Sequence, residues 1–251
     1  MPFDALLLLI TGAAVAGFVQ GLSGFAFSMV AMSIWVWGVD PRIAPVMAVF
    51  GGLTGQIVAA VASRRKPQLA VLAPFLVGGL LGIPLGVLLV KVVDPKLFKA
   101  LIGGILVVFC PLMLLAARLP RFTFGGRAAD GVVGVIGGAM GGIGGFTGVA
   151  PALWCTLRGL DKTVQREIVQ NFNLAALALT FAVQVGSGTV TRDMLPLFLV
   201  IAPTMALPSL LGARVHMGLS ELTARRIVLL LLTASGVAML AASLPALLGR
   251  H

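Results

Sequence analysis

Six apolar segments of about 20 residues, each bounded by charged or turn-forming residues, constrain the fold of this chain more than any other feature. A helix of this length crosses the hydrocarbon core of a bilayer and satisfies all of its backbone hydrogen bonds internally. The sequence therefore predicts an all-α, polytopic integral membrane protein. The predicted spans are 44–62, 69–90, 97–117, 168–185, 194–213 and 227–248.

The composition supports a lipid-facing surface. Hydrophobic residues make up 59% of the chain and charged residues 10%, with a mean hydropathy of +1.09, whereas a soluble domain carries about 25% charged residues because water must solvate its surface. The net charge of +10 comes from short basic clusters between the apolar segments, where basic residues set membrane topology. We therefore expect contact with a lipid bilayer and no nucleic-acid partner.

Two further apolar stretches, 3–37 and 131–157, are interrupted by the glycine-rich runs GLSGF at 21–25 and GGIGGF at 141–146. Glycine in a helix interior is destabilising, so a run of glycines is expected to end a helix. Each stretch is predicted to form two half-helices, the second beginning at about Phe25 or Phe146. Asp4 stands where a secretory signal would carry basic residues, so we expect the first stretch to be retained.

The two interrupted stretches are copies of one another at a shift of 121 residues. Seven identities occur in 26 positions, where this composition would give roughly two by chance. The chain then divides into repeats 1–120 and 121–251, each with one broken segment and three spans, a pattern typical of secondary transporters. The identical pairs are Gly17/Gly138, Gly21/Gly142, Gly24/Gly145, Phe25/Phe146, Ala31/Ala152, Gly38/Gly159 and Asp40/Asp161.

The relative orientation of the repeats depends on whether the broken segment crosses the membrane. If it crosses, the repeats are parallel and the basic residues divide 10 to 8 between the two sides. If it turns back as a re-entrant hairpin, the repeats are inverted and the division is 12 to 6. Basic residues are concentrated on the cytoplasmic side of membrane proteins, so the count favours inverted repeats, with both termini facing away from the cytoplasm.

The two glycine-rich breaks are the strongest candidates for a binding site. Non-helical backbone is tolerated at membrane depth only where it is buried in protein or lines a cavity. The first amides of each new half-helix have no carbonyl partner, and together with the helix dipole they attract an anion. The alternative is that the glycines only let helices pack closely, as GxxxG spacing does. The candidate residues at the breaks are Gly21, Ser23, Gly24, Phe25, Gly144, Gly145, Phe146 and Thr147.

A second polar cluster, QNFN, opens the first span of the second repeat and contains Gln170, Asn171 and Asn173. Three amide side chains are costly in hydrocarbon unless they face a cavity or a partner. Amides donate and accept hydrogen bonds, which suits an oxyanion, although bonding between helices would equally explain them. Gln20, Thr54, Gln56 and Gln184 are weaker candidates of the same kind.

The sequence lacks the parts that an enzyme would need. None of the eight carboxylates lies in the middle of a predicted span, and no nucleophile–base or metal-ligand pattern is present. We therefore expect no catalytic residues, no metal and no cofactor. The recurring Asp40 and Asp161, each in a G-x-D turn, are predicted to cap the helix that follows.

The glycine-rich motifs GFVQGLSGFAF (17–27) and GGAMGGIGGFTGVAPAL (137–153), each followed by a G-x-D turn, resemble the sulfite exporter TauE/SafE family of membrane permeases over almost the whole chain. The resemblance implies a multi-pass permease of the inner (plasma) membrane that moves a small anion, a sulfur oxyanion or organosulfonate. A carrier of another small carboxylate or inorganic anion, and a non-transporting membrane scaffold, stay open as alternatives. So does the formation of a homo-oligomer.

Overall fold

The computed structural model describes residues 2–63, 69–116, 121–122, 125–215 and 221–248. These residues form ten α-helices and contain no β-strand. A short 3-10 helix, Arg192–Met194, precedes the ninth of them. The helices are α1 (Phe3–Ser23), α2 (Phe27–Trp35), α3 (Ala44–Ser63), α4 (Leu69–Val92), α5 (Pro95–Leu115), α6 (Gly126–Gly144), α7 (Val149–Leu157), α8 (Lys162–Gly186), α9 (Leu195–Val215) and α10 (Glu221–Leu248).

Seven of these helices are long and apolar enough to cross a membrane. Six of them, α3, α4, α5, α8, α9 and α10, coincide with the six predicted spans, and the seventh is α1. Large apolar side chains such as Leu81, Leu199 and Leu231 point outward from the bundle and are more than half exposed. A lipid-facing surface accounts for this exposure, and the prediction of a polytopic helical membrane protein is confirmed.

Both predicted breaks are present, and a left-handed glycine ends the helix at each. Gly24 has a φ of 82° after α1, and Gly145 has a φ of 79° after α6. Residues other than glycine rarely adopt this backbone conformation, which explains why the motif recurs at both positions. The new helices begin at Phe27 and Val149, slightly later than predicted.

The two helices that flank each break differ in length, which the prediction of two half-helices did not anticipate. α1 and α6 contain 21 and 19 residues, whereas α2 and α7 contain nine each. A helix of about 20 residues extends roughly 30 Å, whereas nine residues extend roughly 13 Å. Only the second helix of each broken segment is therefore shorter than a membrane span.

Each short helix runs back along the long helix before it. The amide of Phe27, at the start of α2, donates to Gln20 Oε1 at 3.0 Å near the end of α1. The indole of Trp35, at the other end of α2, donates to the carbonyl of Leu9 at 3.1 Å. α7 returns along α6 in the same way, with the Trp154 indole donating to Asp130 at 2.7 Å. This antiparallel path supports the hairpin, whose depth in a membrane stays a prediction.

Glycine faces join the two halves of the chain. α1 packs against α9, and a Cβ added to Gly17 or Gly21 would overlap the α9 backbone at Met205 or Ser209. α6 packs against α4 through Gly138 and Gly142 in the equivalent way. The helix-packing interpretation therefore accounts for Gly21, which faces α9.

The two halves also make corresponding contacts. The contact of α1 with α9 has its counterpart in the contact of α6 with α4, and the contact of α3 with α9 has its counterpart in that of α8 with α4. Corresponding helices of the two halves also pack on each other, α3 on α8 and α5 on α10. This correspondence supports the proposal of repeats 1–120 and 121–251. Several basic residues of the charge count, at 64–66, 118 and 250, lie outside the described residues.

The predicted capping role of the G-x-D turns is present at Asp161, whereas Asp40 lies four residues before the start of α3. Asp161 is the N-cap of α8 and accepts a hydrogen bond from the amide of Thr163 at 2.8 Å. Asp40 accepts from the amide of Arg42 at 2.8 Å in the turn before α3. The hydrogen bonds from Thr163 hold the pKa of the exposed Asp161 carboxyl below its usual value.

Candidate functional site

The two breaks lie against the middle of α3 and α8. At the first break the carbonyl of Gly24 accepts a hydrogen bond from Gln56 Nε2 of α3 at 2.7 Å. A Cβ added to Gly24 would lie 2.8 Å from the side-chain nitrogen of Gln170 on α8. Gly24 of the first break therefore lies beside Gln170 of the QNFN cluster.

The second break meets the start of α2. A Cβ added to Gly145 would lie 2.5 Å from Ser28 Oγ, and one added to Gly52 of α3 would lie 3.3 Å from the same atom. Ser28 is buried and donates to the carbonyl of Ala48 at 3.2 Å. The hydroxyl of Ser28 thus connects the two breaks to α3.

Asn173 is the central polar residue of α8 at the second break. Its Oδ1 accepts a hydrogen bond from Thr147 Oγ1 at 2.7 Å, and both residues are 1% exposed. A Cβ added to Gly148, the N-cap of α7, would lie 2.7 Å from Asn173 Nδ2. Within the described part of the chain, Nδ2 donates no hydrogen bond. A free amide donor therefore borders the N-terminus of α7.

The backbone amides at the two half-helix starts are partly unpaired. At α2, Ser23 Oγ accepts from the amide of Ala26 at 3.2 Å and Gln20 Oε1 accepts from that of Phe27. The next two amides, of Ser28 and Met29, have no acceptor in the described ranges. At α7 the amides without an acceptor there are those of Thr147, Gly148 and Ala150.

The remaining predicted site residues have other surroundings. Ser23 caps the first break, Phe25 is half-buried against the apolar core, and Phe146 belongs to that core. A Cβ on Gly144 would meet the ring of Phe146 at 2.7 Å. Asn171 is not brought together with this group: it lines an outer cleft with Val71, Val164, Glu167 and Ile168.

Two neighbours of the site, Gly52 and Gly148, were not predicted. Gly52 lies outside the glycine-rich motifs, and only the packing of α3 brings it to the breaks. Gly148 follows the run 141–146 within the second break, where it is the N-cap of α7. Gln20 and Gln56 were noted in the sequence as polar residues, but nothing in the sequence indicated that they would converge with Ser28. The spacing of Gln and Asn residues along one segment of the chain does not show which other helix packs against that segment.

The sequence pattern of the sulfite exporter TauE/SafE family matches residues 9–239, nearly the whole chain. The chain belongs to this family. Comparison with the curated proteins and with the solved structures returns no match. TauE/SafE membership and the seven apolar helices make the protein a multi-pass membrane transporter of sulfite or related anions.

In this TauE/SafE protein, the groups that contact the two breaks are uncharged. The donors and acceptors at the breaks are carboxamides, hydroxyls and backbone amides. No cluster of His, Cys, Asp and Glu that could hold a metal ion occurs in the residues that the structure describes. The interior face of α8 continues from Asn173 through Thr180 to Gln184, whose buried Oε1 has no hydrogen-bond partner in the described structure.

Proposed function

We propose that the protein is a secondary transporter of a small sulfur oxyanion or organosulfonate, and that it binds this anion where the two glycine breaks meet between α3 and α8. The observation that carries the proposal is the convergence of free donors at the start of α7. The Asn173 side-chain nitrogen borders Gly148, and the amides of Thr147, Gly148 and Ala150 have no described acceptor.

The chemistry of these groups suits an oxyanion. Backbone amides at a helix N-terminus point toward an incoming anion, and the helix dipole favours negative charge there. Glycines at positions 145 and 148 leave the amides free of a Cβ that would block close approach. Ser28 and Thr147 add hydroxyl groups that can turn toward the ligand. Asn171 is left out of the proposed site because it lines the outer cleft.

Burial of the site supports a carrier that changes conformation. Ser28, Thr147 and Asn173 are each at most 3% exposed. An anion can reach them only when the hairpins α1–α2 and α6–α7 separate from α3 and α8. Movement of one repeat against the other around a midplane site is the usual way in which inverted repeats give alternating access. The inner (plasma) membrane is the proposed location.

Replacement of Asn173 by Leu tests the proposed site. We expect it to weaken sulfite or methanesulfonate binding by roughly 10- to 150-fold, because a hydrogen bond to a charged group contributes about 1.5–3 kcal/mol. Asn171→Leu is the matched control, two positions along the same helix, and should leave the affinity unchanged. Isothermal titration calorimetry of the purified protein measures both.

Stability measurements on the same variants separate a carrier from a scaffold. If Asn173 only joins helices, its replacement should cost roughly 0.6 kcal/mol of unfolding free energy. Anion affinity would then stay intact. Binding of a small carboxylate such as oxalate in preference to every sulfur anion would instead support a different anion carrier.

A further inference from the structure

We infer that the site between the breaks takes anions with a single negative charge and discriminates against divalent ones. The inference rests on the proposed function and concerns the charge of the substrate. It follows from the amount of positive charge that the described structure places at the breaks, and from the depth at which the site is buried.

Two helix N-termini supply the positive potential. α2 and α7 contain nine residues each, and the start of α2 lies against the second break, with Ser28 Oγ beside Gly145, the residue that ends α6 four positions before α7 begins. Each helix N-terminus is equivalent to about half an elementary charge. The two together balance at most about one negative charge, the charge of a sulfonate or of hydrogen sulfite, because the C-terminal ends of α1 and α6 lie at the same breaks and oppose them.

The side chains at the site add hydrogen bonds without adding charge. Asn173 is 1% exposed, and its Nδ2, without an acceptor in the described structure, borders the N-terminus of α7. Thr147 and Ser28 are neutral hydroxyls. These groups can solvate an oxyanion on several sides but cannot neutralise a second charge.

The charged residues on the helices around the site lie toward the helix ends. On α9, Arg214 is exposed in the last turn, next to Ala213, which packs on Gly21 of α1. On α8, Arg166 precedes Asn173 by seven residues, about 10 Å along the axis, and Lys162 is farther away. Arg166 lies one turn before Gln170 but is exposed, so water and salt screen its charge. On α6, Asp130 is paired with Arg158 at 2.9 Å and Arg127 lies near the helix start, as Asp4 does on α1. α2 and α7 carry no charged residue, and neither does α3.

Desolvation increases the discrimination. The cost of moving an ion from water into a medium of low dielectric constant rises with the square of its charge, so a divalent anion costs about four times as much as a monovalent anion of the same size. The attraction of the two helix N-termini only doubles. A buried site with at most about one balancing charge therefore disfavours sulfate and the sulfite dianion relative to monovalent anions.

Binding of three probes to the purified wild-type protein at constant ionic strength tests the inference. Methanesulfonate is monovalent and sulfate divalent near neutral pH, whereas sulfite changes from one to the other. We expect sulfate to bind at least about tenfold more weakly than methanesulfonate. Methanesulfonate affinity should not depend on pH. The apparent affinity for total sulfite should fall about tenfold for each pH unit above its second ionisation.

A variant with an added cation provides a second measurement. Gln170→Arg places a positive charge beside Gly24 and should raise the affinity for sulfate relative to methanesulfonate by at least about tenfold. Asn171→Arg, in the outer cleft, should leave that ratio unchanged. Equal binding of sulfate and methanesulfonate by the wild type, or sulfite affinity that rises with pH, would overturn the charge selectivity but leave the site in place. Failure of all three probes to bind would overturn the proposed site itself.

Discussion

Individual glycines in this protein have two different roles, which their surroundings distinguish. Gly17 and Gly21 lie inside α1, where their lack of a side chain lets α9 approach. Gly24 and Gly145 adopt a left-handed conformation that ends a helix, and each borders a polar group of a neighbouring helix. The first role concerns packing alone, whereas the second places unpaired amides at the proposed site.

Replacement of Gly145 by Ala should therefore destabilise the protein. The left-handed conformation costs a residue with a Cβ roughly 1–2 kcal/mol, and the new atom would also press on Ser28 Oγ, at 2.5 Å. Gly104 is the matched control, because it lies inside α5 and a Cβ there meets nothing within 4 Å. Gly104→Ala should leave stability unchanged or raise it slightly. Chemical denaturation in detergent measures both, and equal stability of the two variants would contradict the strain at the break.

The two hairpins are each fastened by an indole near the end of the short helix. Trp35 of α2 donates to a backbone carbonyl of α1, at Leu9. Trp154 of α7 donates to the carboxylate of Asp130 on α6, which is also paired with Arg158 at 2.9 Å. Because nine residues form only a marginal helix on their own, these tertiary bonds stabilise the return path of each hairpin.

Loss of the Asp130 carboxylate should loosen the second hairpin. Asp130 is 5% exposed, and Asp130→Ala would leave the Trp154 indole and the Arg158 guanidinium without this acceptor. We expect a loss of roughly 1–3 kcal/mol of unfolding free energy. Asp193→Ala, at an exposed turn, is the control and should change stability by less than about 0.5 kcal/mol.

A double-mutant cycle distinguishes the ion pair from general packing at Asp130. If the pair matters, Asp130→Ala and Arg158→Leu combined should cost less than the sum of the two single changes, with a coupling of about 0.5–3 kcal/mol. Additive effects would show that the Asp130–Arg158 contact does not hold the hairpin.

At the scale of the whole molecule, each hairpin packs on helices from the other half of the chain. α1 lies on α9, and α6 lies on α4. Hydrogen bonds also bring distant ends together: Arg127 donates to the carbonyl of Ala70 at 3.1 Å, and Phe122 donates to that of Leu157 at 3.0 Å. The starts of α4 and α6 and the end of α7 therefore share one end of the bundle, as the inverted arrangement requires.

Labelling of single cysteines in intact cells tests this arrangement. The inverted repeats predict that Arg127→Cys and Lys162→Cys react from the cytoplasmic side and Lys96→Cys from the opposite side. Parallel repeats would instead place Lys96 with Lys162, away from Arg127. All three positions are exposed, and the native Cys110 and Cys155 are buried, so they should contribute little background.

Local features of the sequence determined the spans, the breaks and the caps. Twenty apolar residues, a glycine at a helix end and an aspartate before a helix act over a few neighbouring residues, so 44–62 or Gly24 could be predicted without knowledge of the rest of the chain. The tertiary structure decided which groups meet: Ser28 lies beside Gly145, 117 positions later in the sequence, and Asn173 lies beside Gly148. It also separated Asn171 from Asn173, since two positions on a helix face different neighbours. These contacts depend on how long helices pack across the bundle, and short-range sequence patterns carry no information about that packing.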